Sequence, residues 1–219
     1  MTSKVEEVRG QRVVIRFDAR KCIHSRNCVL GRPDVFVPNV QGEWIHPDAA
    51  TPDEVAELAH NCPSGAITYE RLDGGPAEAP PLVNTVRLRE NGPLALHAPI
   101  AICGQAAGLR VTLCHCGASR QKPFCDGSHT AAGFAATGEP AAKAASEPLV
   151  ARNGTLAVTT ITNGPLKLDG AHEIVSGTGR TLDRCTQSFL CRCGHSANRP
   201  YCDGSHKKVG FEADGCLTR

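Results

Sequence analysis

The chain has 219 residues, 41% hydrophobic but only 4% aromatic, with 22 Gly and 15 Pro. That suits one large domain or two to three small, turn-rich ones with modest cores. Lys and Arg number 24 against 22 Asp and Glu, a formal charge of +2, too balanced for a charge-driven grip on nucleic acid. Twelve cysteines stand against one Trp and one Met, so the chemistry to explain is that of cysteine.

The opening MTSKVEEVRG lacks the apolar run of a secretory signal. No stretch approaches the ~20 apolar residues of a membrane span. A cytoplasmic, membrane-free protein is expected, in which clustered thiols bind metal or do redox work more often than they pair as disulfides. A secreted disulfide scaffold is the minor alternative.

In chain order, Arg12 to Phe17 reads as a strand, Pro52 to His60 as a helix and Ala66 to Glu70 as a second strand. Thr51 is the candidate N-cap of the helix, with Glu54 closing a capping box. A small α+β domain over residues 1–72 is expected. Arg71 to Pro81, rich in Gly and Pro, reads as a linker, and so does the Ala-rich Thr137 to Pro148. They mark off two further segments, residues 82–137 and 148–219. Each of the three is near the lower size limit for folding without a staple.

The last two segments repeat each other. Asn91-Gly92-Pro93-Leu94 returns as Asn163-Gly164-Pro165-Leu166, and Cys125-Asp126-Gly127-Ser128-His129 as Cys202-Asp203-Gly204-Ser205-His206. Val83–Leu88 and Thr155–Ile161 read as strands beside Asn-Gly turns. A single short helix is expected after Asp126 and after Asp203, each the candidate N-cap. One mainly-β unit used twice implies a pseudo-twofold pair within a monomer.

Each repeat carries Cys-x-Cys, eight residues, then Cys-x-x-x-His: Cys114, Cys116, Cys125 and His129, then Cys191, Cys193, Cys202 and His206. Three thiolates and one imidazole suit either a zinc ion or a two-iron, two-sulfur cluster. Zinc knuckles usually space their cysteines by two to four residues, so a single intervening residue fits zinc poorly. A diamond-shaped cluster accepts one close pair per iron. Cys114 with Cys116 is expected on one iron and Cys125 with His129 on the other; Cys191 with Cys193, and Cys202 with His206, follow suit. Asp-Gly permits a sharp turn into a helix start, whose free N–H groups can face an anion. Two zinc staples holding small domains together are the structural alternative.

The full pattern, Cys-x-Cys-x2-Ser-x3-Pro-x-Cys-Asp-Gly-Ser-His, resembles the CDGSH iron–sulfur domain of the mitoNEET-like family, and both copies match at every signature position. The resemblance implies two [2Fe–2S] clusters, each on three cysteines and one histidine, in mainly-β domains paired about a twofold axis. Relatives anchored to organelle membranes carry a span that has no counterpart here. Exchanging one thiolate for a neutral imidazole changes the net charge of the oxidised centre from about −2 to about −1. The potential should then lie between the roughly −150 to +300 mV of two-histidine centres and the about −400 mV of all-cysteine plant-type ferredoxins. Proton competition for the histidines should loosen both clusters as pH falls below neutrality. His115 and His195, in the same loops, are expected to be solvent-exposed.

Toward the N-terminus, Cys22 and Cys28 precede a remote Cys62-Pro63, as in a ferredoxin half-site whose central cysteine is replaced by Ser25. Lys21 to Cys28 with Asn61 to Ile67 resembles the divergent mono-cluster ferredoxin domain. Cys22, Cys28 and Cys62 suffice for a [3Fe–4S] cluster. A [4Fe–4S] cluster needs a fourth ligand from Ser25, His24, a water or a partner; free or oxidised cysteines are the alternative.

Cys103, Cys185 and Cys216 read as small buried hydrophobes. No nucleophile triad, phosphate loop, dinucleotide fingerprint or paired-carboxylate pattern is visible, so no enzyme is expected. The fold class implied is α+β: a ferredoxin-like domain, then two paired mainly-β domains. Electron transfer between redox partner proteins is the leading function. A cluster donor or store serving apo-proteins, or a redox or pH sensor, is the alternative.

Overall fold

A computed structural model describes residues 5–143 and 147–216 and separates the chain into two compact units, Met1–Ala79 and Pro80–Arg219. The charged first four residues, the Ala144–Ser146 stretch of the second linker and residues 217–219 of the last segment lie outside the described residues.

The first unit is built on an antiparallel sheet of β1 (Glu6–Arg9), β2 (Val13–Phe17) and β3 (Ile67–Arg71), with β2 central. Helices α1 (Asn27–Gly31) and α2 (Pro52–His60) complete it. The capping box forms as expected: Thr51 Oγ1 accepts from the Glu54 N–H at 3.3 Å, and the Glu54 carboxylate accepts from the Thr51 N–H at 2.8 Å. Val55, Leu58 and Ala59 of α2 pack with Val13, Ile15 and Ile67 of the sheet in one buried cluster. Two elements escaped the sequence reading. β1 is short, mostly charged and on a sheet edge, and the five residues of α1 bury none of their side chains, so neither leaves a hydrophobic period.

In the second unit β4 (Thr85–Leu88), β5 (Leu94–Ile102) and β6 (Gln105–Leu113) come from the first repeat, and β7 (Leu156–Thr160), β8 (Leu166–Val175) and β9 (Thr181–Leu190) from the second. Short helices α3 (Ser128–Ala131) and α4 (Ser205–Lys208) carry the histidines. The six strands form one sheet. β4 pairs antiparallel with its own β5 and parallel with β8, Thr85 lying opposite His97 and Glu173. β7 does the reverse, antiparallel to β8 and parallel to β5, with Leu156 opposite Ile100. Each first strand is thus shared by both repeats. Their buried residues, including Leu96, Ile100, Leu113, Leu168, Ile174 and Leu190, form a single core. The segments 82–137 and 148–219, read as two domains, share this sheet and core: neither half-sheet is large enough to bury its own apolar face.

The second linker also departs from the sequence reading. Gly138 O accepts from the Gly177 N–H at 2.8 Å, Glu139 Oε1 from the Thr178 N–H at 2.8 Å, and the Lys143 N–H donates to Leu182 O at 3.0 Å. Thr137 to Lys143 is therefore laid along the second repeat. Its small residues leave the backbone free to bond, a property composition does not reveal.

Candidate metal centres

The cysteine loops hang from the ends of β6 and β9. Cys114 N–H donates to Pro123 O at 2.8 Å and Cys125 N–H to Thr112 O at 2.9 Å; Cys191 and Cys202 make the twin bonds to Pro200 O and Phe189 O at 2.8 and 2.9 Å. The motif serine braces each loop from inside. Ser119 Oγ donates to Phe124 O at 2.7 Å and accepts from the Gln121 N–H at 3.1 Å, while Ser196 does the same with Tyr201 O and the Asn198 N–H at 2.6 and 3.1 Å. The peptide bonds before Pro123 and Pro200 are both cis.

The motif aspartate stands one place before the cap. Gly127 and Gly204, at φ 85° and 84°, are the N-cap residues, a left-handed conformation that glycine takes without strain. The Asp126 carboxylate accepts from the Ser128 and Arg120 N–H groups at 3.0 and 2.9 Å, and Asp203 from Ser205 and Ala197 at 2.9 and 2.8 Å. Burial would raise the Asp126 carboxyl, but the Ser128 side chain, together with these backbone bonds, holds it down at about 2.

The predicted donors come together in pairs. Cys114 Sγ is 3.8 Å from Cys116 Sγ, and Cys125 Sγ is 3.4 Å from His129 Nδ1. The second set repeats this at 3.6 Å between Cys191 and Cys193 and 3.3 Å between Cys202 and His206. Among the described residues, no three His, Cys, Asp or Glu side chains gather tightly enough for a single ion. Cys114, Cys125 and Cys191 are buried, whereas His129 and His206 are half-exposed, so each site has a closed cysteine side and an open histidine side. Backbone N–H groups of Ala118 and Gly127 point at Cys116 and Cys125 Sγ, both at 3.4 Å.

Without a bound cation Cys114, Cys125 and Cys193 are held as neutral thiols, whereas Cys116 is poised toward thiolate. The hydrogen bond to Cys116 and burial push Cys114 up, while the same bond pulls Cys116 down to about 6. Burial pushes Cys125 and Cys193 to about 11. Metal capture must therefore release protons.

The two loops touch. Cys116 and Cys193 form an antiparallel backbone bridge, and between Cys191 and Cys193 sits Arg192, 1% exposed. Its guanidinium donates to the carbonyls of Gly164, Ile161 and Asp214 at 2.8, 2.7 and 3.0 Å, and its Nη1 has no hydrogen-bond partner among the described residues. Burial lowers its pKa, while the neighbouring Cys114 and then Asp214 pull the other way. A buried cation with an orphaned donor beside a cysteine ligand fits an anionic guest. His115 holds the twin position and is only 4% exposed, a correction to the solvent-exposed reading; burial lowers its pKa to about 4. The exposed His195 conforms to that reading.

In the first unit, Cys22, Cys28 and Cys62 line one cavity of about 480 Å³ together with His24, Ser25, Ile23 and Trp44. His24 and Arg26 take left-handed φ of 53° and 64°, turning the loop between the first two cysteines around this space. Burial pushes the thiols of Cys22 and Cys28 up. His24 N–H donates to Cys22 Sγ at 3.4 Å, and its Nδ1 lies 4.0 Å from the same sulfur.

Of the remaining cysteines, Cys103 and Cys216 depart from their reading, while Cys185 packs partly buried against the core. Cys103, exposed, is disulfide-bonded to Cys216 across 113 residues. Cys185 is half-buried and donates to Asp183 at 3.3 Å. Two cysteines so far apart in sequence leave no local signal that they pair.

The profile of the CDGSH-type iron-binding zinc finger matches residues 84–130 and 163–207, and that of the divergent 4Fe-4S mono-cluster domain matches residues 8–72. The chain belongs to the CDGSH iron-binding family in tandem form, with a divergent mono-cluster domain ahead of the repeats: it is an iron–sulfur protein. It is 36% identical over 61 residues to "Uncharacterized protein YjdI" of Escherichia coli, a match covering 27% of this chain and 78% of that protein. The protein of that name in a second Escherichia coli strain matches equally. No helix among the described residues is long and apolar enough to cross a membrane.

Proposed function

We propose that the chain carries electrons between redox partner proteins on two [2Fe–2S] clusters, held by Cys114, Cys116, Cys125 and His129 and by Cys191, Cys193, Cys202 and His206. The observation behind this reading is the pairing of donors, thiolate with thiolate and thiolate with imidazole, at 3.3 to 3.8 Å in both repeats. Two pairs suit two irons better than one zinc. Bound there, a cluster supplies one-electron chemistry without rearranging substrate bonds, and this reading assigns the protein no catalysis of its own. The buried cysteines exclude water from one side, and the half-exposed histidine leaves an edge where a partner can approach. Cys22, Cys28 and Cys62 would hold a further, multi-iron cluster in their shared cavity.

Iron and sulfide counts on anaerobically prepared protein test this, with EPR of the reduced form. About four irons per chain load the repeats alone, and seven or eight load all three sites. Zinc without sulfide would defeat the reading.

The open histidine edge also favours a second role, donation of an intact cluster to an apo-protein. Mixing oxidised protein with apo-ferredoxin separates the two: reversible reduction without transfer supports the carrier, and movement of the cluster supports the donor.

A further inference from the structure

The two sulfurs of the Cys103–Cys216 bond sit in unlike surroundings. Cys103 stands at the tip of the two-residue turn between β5 and β6, at φ 51°, followed by Gly104 at 79°. Its N–H donates to Val158 O at 2.9 Å, so β7 fixes its backbone, and the residue is exposed. Cys216 is half-buried. Its Sγ accepts from the Thr160 N–H at 3.2 Å and from the Thr160 hydroxyl at 3.5 Å, and Thr160 is only 5% exposed. One sulfur is open to attack, and the other faces donors suited to the charge of a departing thiolate.

The same bond anchors a tail that reaches the second ligand set. Beyond α4, the Phe211 N–H donates to His206 O at 3.0 Å, and Ala213 and Asn163 exchange two bonds of 2.9 Å. Asp214 O accepts from Arg192, the buried arginine between Cys191 and Cys193, at 3.0 Å. The Cys216 N–H donates to Thr160 O at 2.9 Å. A Cβ on Gly215 would come within 2.7 Å of Thr162 N, so the tail lies too close to the end of β7 for a side chain there. In the first repeat Ala136 makes the same clasp with Asn91, but the chain then continues into Thr137–Lys143, which backbone bonds fasten to the second repeat. Only beyond α4 does a disulfide do the fastening.

We propose that Cys103–Cys216 is a thiol–disulfide exchange site for dithiol reductants, and that opening it loosens the second ligand set alone. A thiolate of the dithiol attacks the exposed Cys103 Sγ. A new S–S bond forms there, the Cys103–Cys216 bond breaks, and Cys216 leaves as a thiolate facing the Thr160 donors. The second thiolate of the dithiol then displaces Cys103 from the mixed disulfide. The reductant ends as a disulfide, the two cysteines gain two electrons, and the two protons of the dithiol complete their thiols. Hydrogen bonds alone then hold the tail. When it lifts, buried Arg192 loses a carbonyl partner, which is costly for a charge out of water, and the loop of Cys191 and Cys193 loses its brace. The loosening rests on the reading that the second set holds a cluster; the exchange chemistry does not.

The test treats the full chain, as purified and without denaturant, with the monothiol glutathione or with dithiothreitol, followed by alkylation and mass spectrometry of the cysteine peptides. Glutathione is expected on Cys103, and dithiothreitol should free both thiols. Hydrogen exchange should then rise over Phe211 to Cys216 and stay level around Asn91 and Ala136. In the loaded chain, Cys216→Ser should speed metal release to a chelator by roughly fivefold or more in a His129→Cys background, where the second set is the weaker. It should leave release unchanged in a His206→Cys background. Gly215→Ala should act likewise with both thiols in place. A bond that opens only in denaturant, or glutathione carried on Cys216, would overturn the exchange site. Release quickened equally in both backgrounds, or in neither, would overturn the link to the second set. Zinc without sulfide would remove the cluster reading, and the cysteine peptides would still decide the exchange site.

Discussion

Of the proposed ligands, His129 and His206 are half-exposed, whereas Cys114, Cys125, Cys191 and Cys193 are buried and Cys116 and Cys202 partly so, so the histidines are where water and protons reach each set most readily. Burial holds the imidazole of His129 below its ordinary pKa, so the neutral ring that can bind metal persists to somewhat lower pH than in a free histidine. Below that point protons win. His129→Cys should slow the loss of visible absorbance at mildly acid pH and lower the potential of the first cluster; an unchanged decay would remove histidine from the cause. The carboxylates of the same loops act at lower pH. Asp126 titrates at about 2, below its ordinary value of 3.8. Its stabilisation is therefore complete above about pH 4 and fades as pH falls toward 2. Asp126→Ala removes an acceptor for two N–H groups and should cost about 1.5–3 kcal/mol in the first loop at neutral pH, seen as faster iron release to a chelator.

At the level of elements, the cysteine loops depend on a close crossing of backbones. Gly117 has φ 80°, and a Cβ there would meet Cys193 O at 2.5 Å; Gly194, at φ 82°, would strike Cys116 O in the same way. Neither neighbour is a flexible side chain that could yield. Gly117→Ala should destabilise by about 1–3 kcal/mol through backbone strain alone, plus the overlap, in a chemical denaturation series. Gly127→Ala meets nothing within 4 Å and should cost only about 1–2 kcal/mol from its left-handed backbone. Equal losses at the two positions would contradict the crossing. The sequence marks both glycines as turn residues but not this difference, because the obstacle to Gly117 comes from the other repeat.

Across the whole molecule, the two repeats are held together by shared strands and by the Cys103–Cys216 bond, which joins the β5–β6 turn to the tail beyond α4. Of twelve cysteines, ten stand outside any disulfide, so metal-free protein denatured without reductant should titrate ten thiols, and twelve after reduction. Cys103→Ser should lower stability by about 2–4 kcal/mol in the oxidised protein and by almost nothing once reductant is present. Twelve thiols without reductant would show the bond to be absent.

What the sequence determined by itself is the local chemistry. Ligand spacing, the serine and aspartate of each loop, the Asn-Gly turns and the Thr51–Glu54 capping box act within a few residues, so their physics is written in the order of the chain. The paired donors of each repeat were legible in the same way, whereas the grouping of the remote Cys62 with Cys22 and Cys28 came from the resemblance to a ferredoxin domain, and their shared cavity from the structure. Only the tertiary structure decided that β4 and β7 are each held by both repeats, that Cys103 meets Cys216, and that His115 and Arg192 are buried rather than solvated. Those outcomes depend on surfaces distant in sequence meeting so that each half can cover apolar area the other leaves bare. Burial and the electrostatics that follow from it belong to the packed pair, and neither repeat encodes them alone.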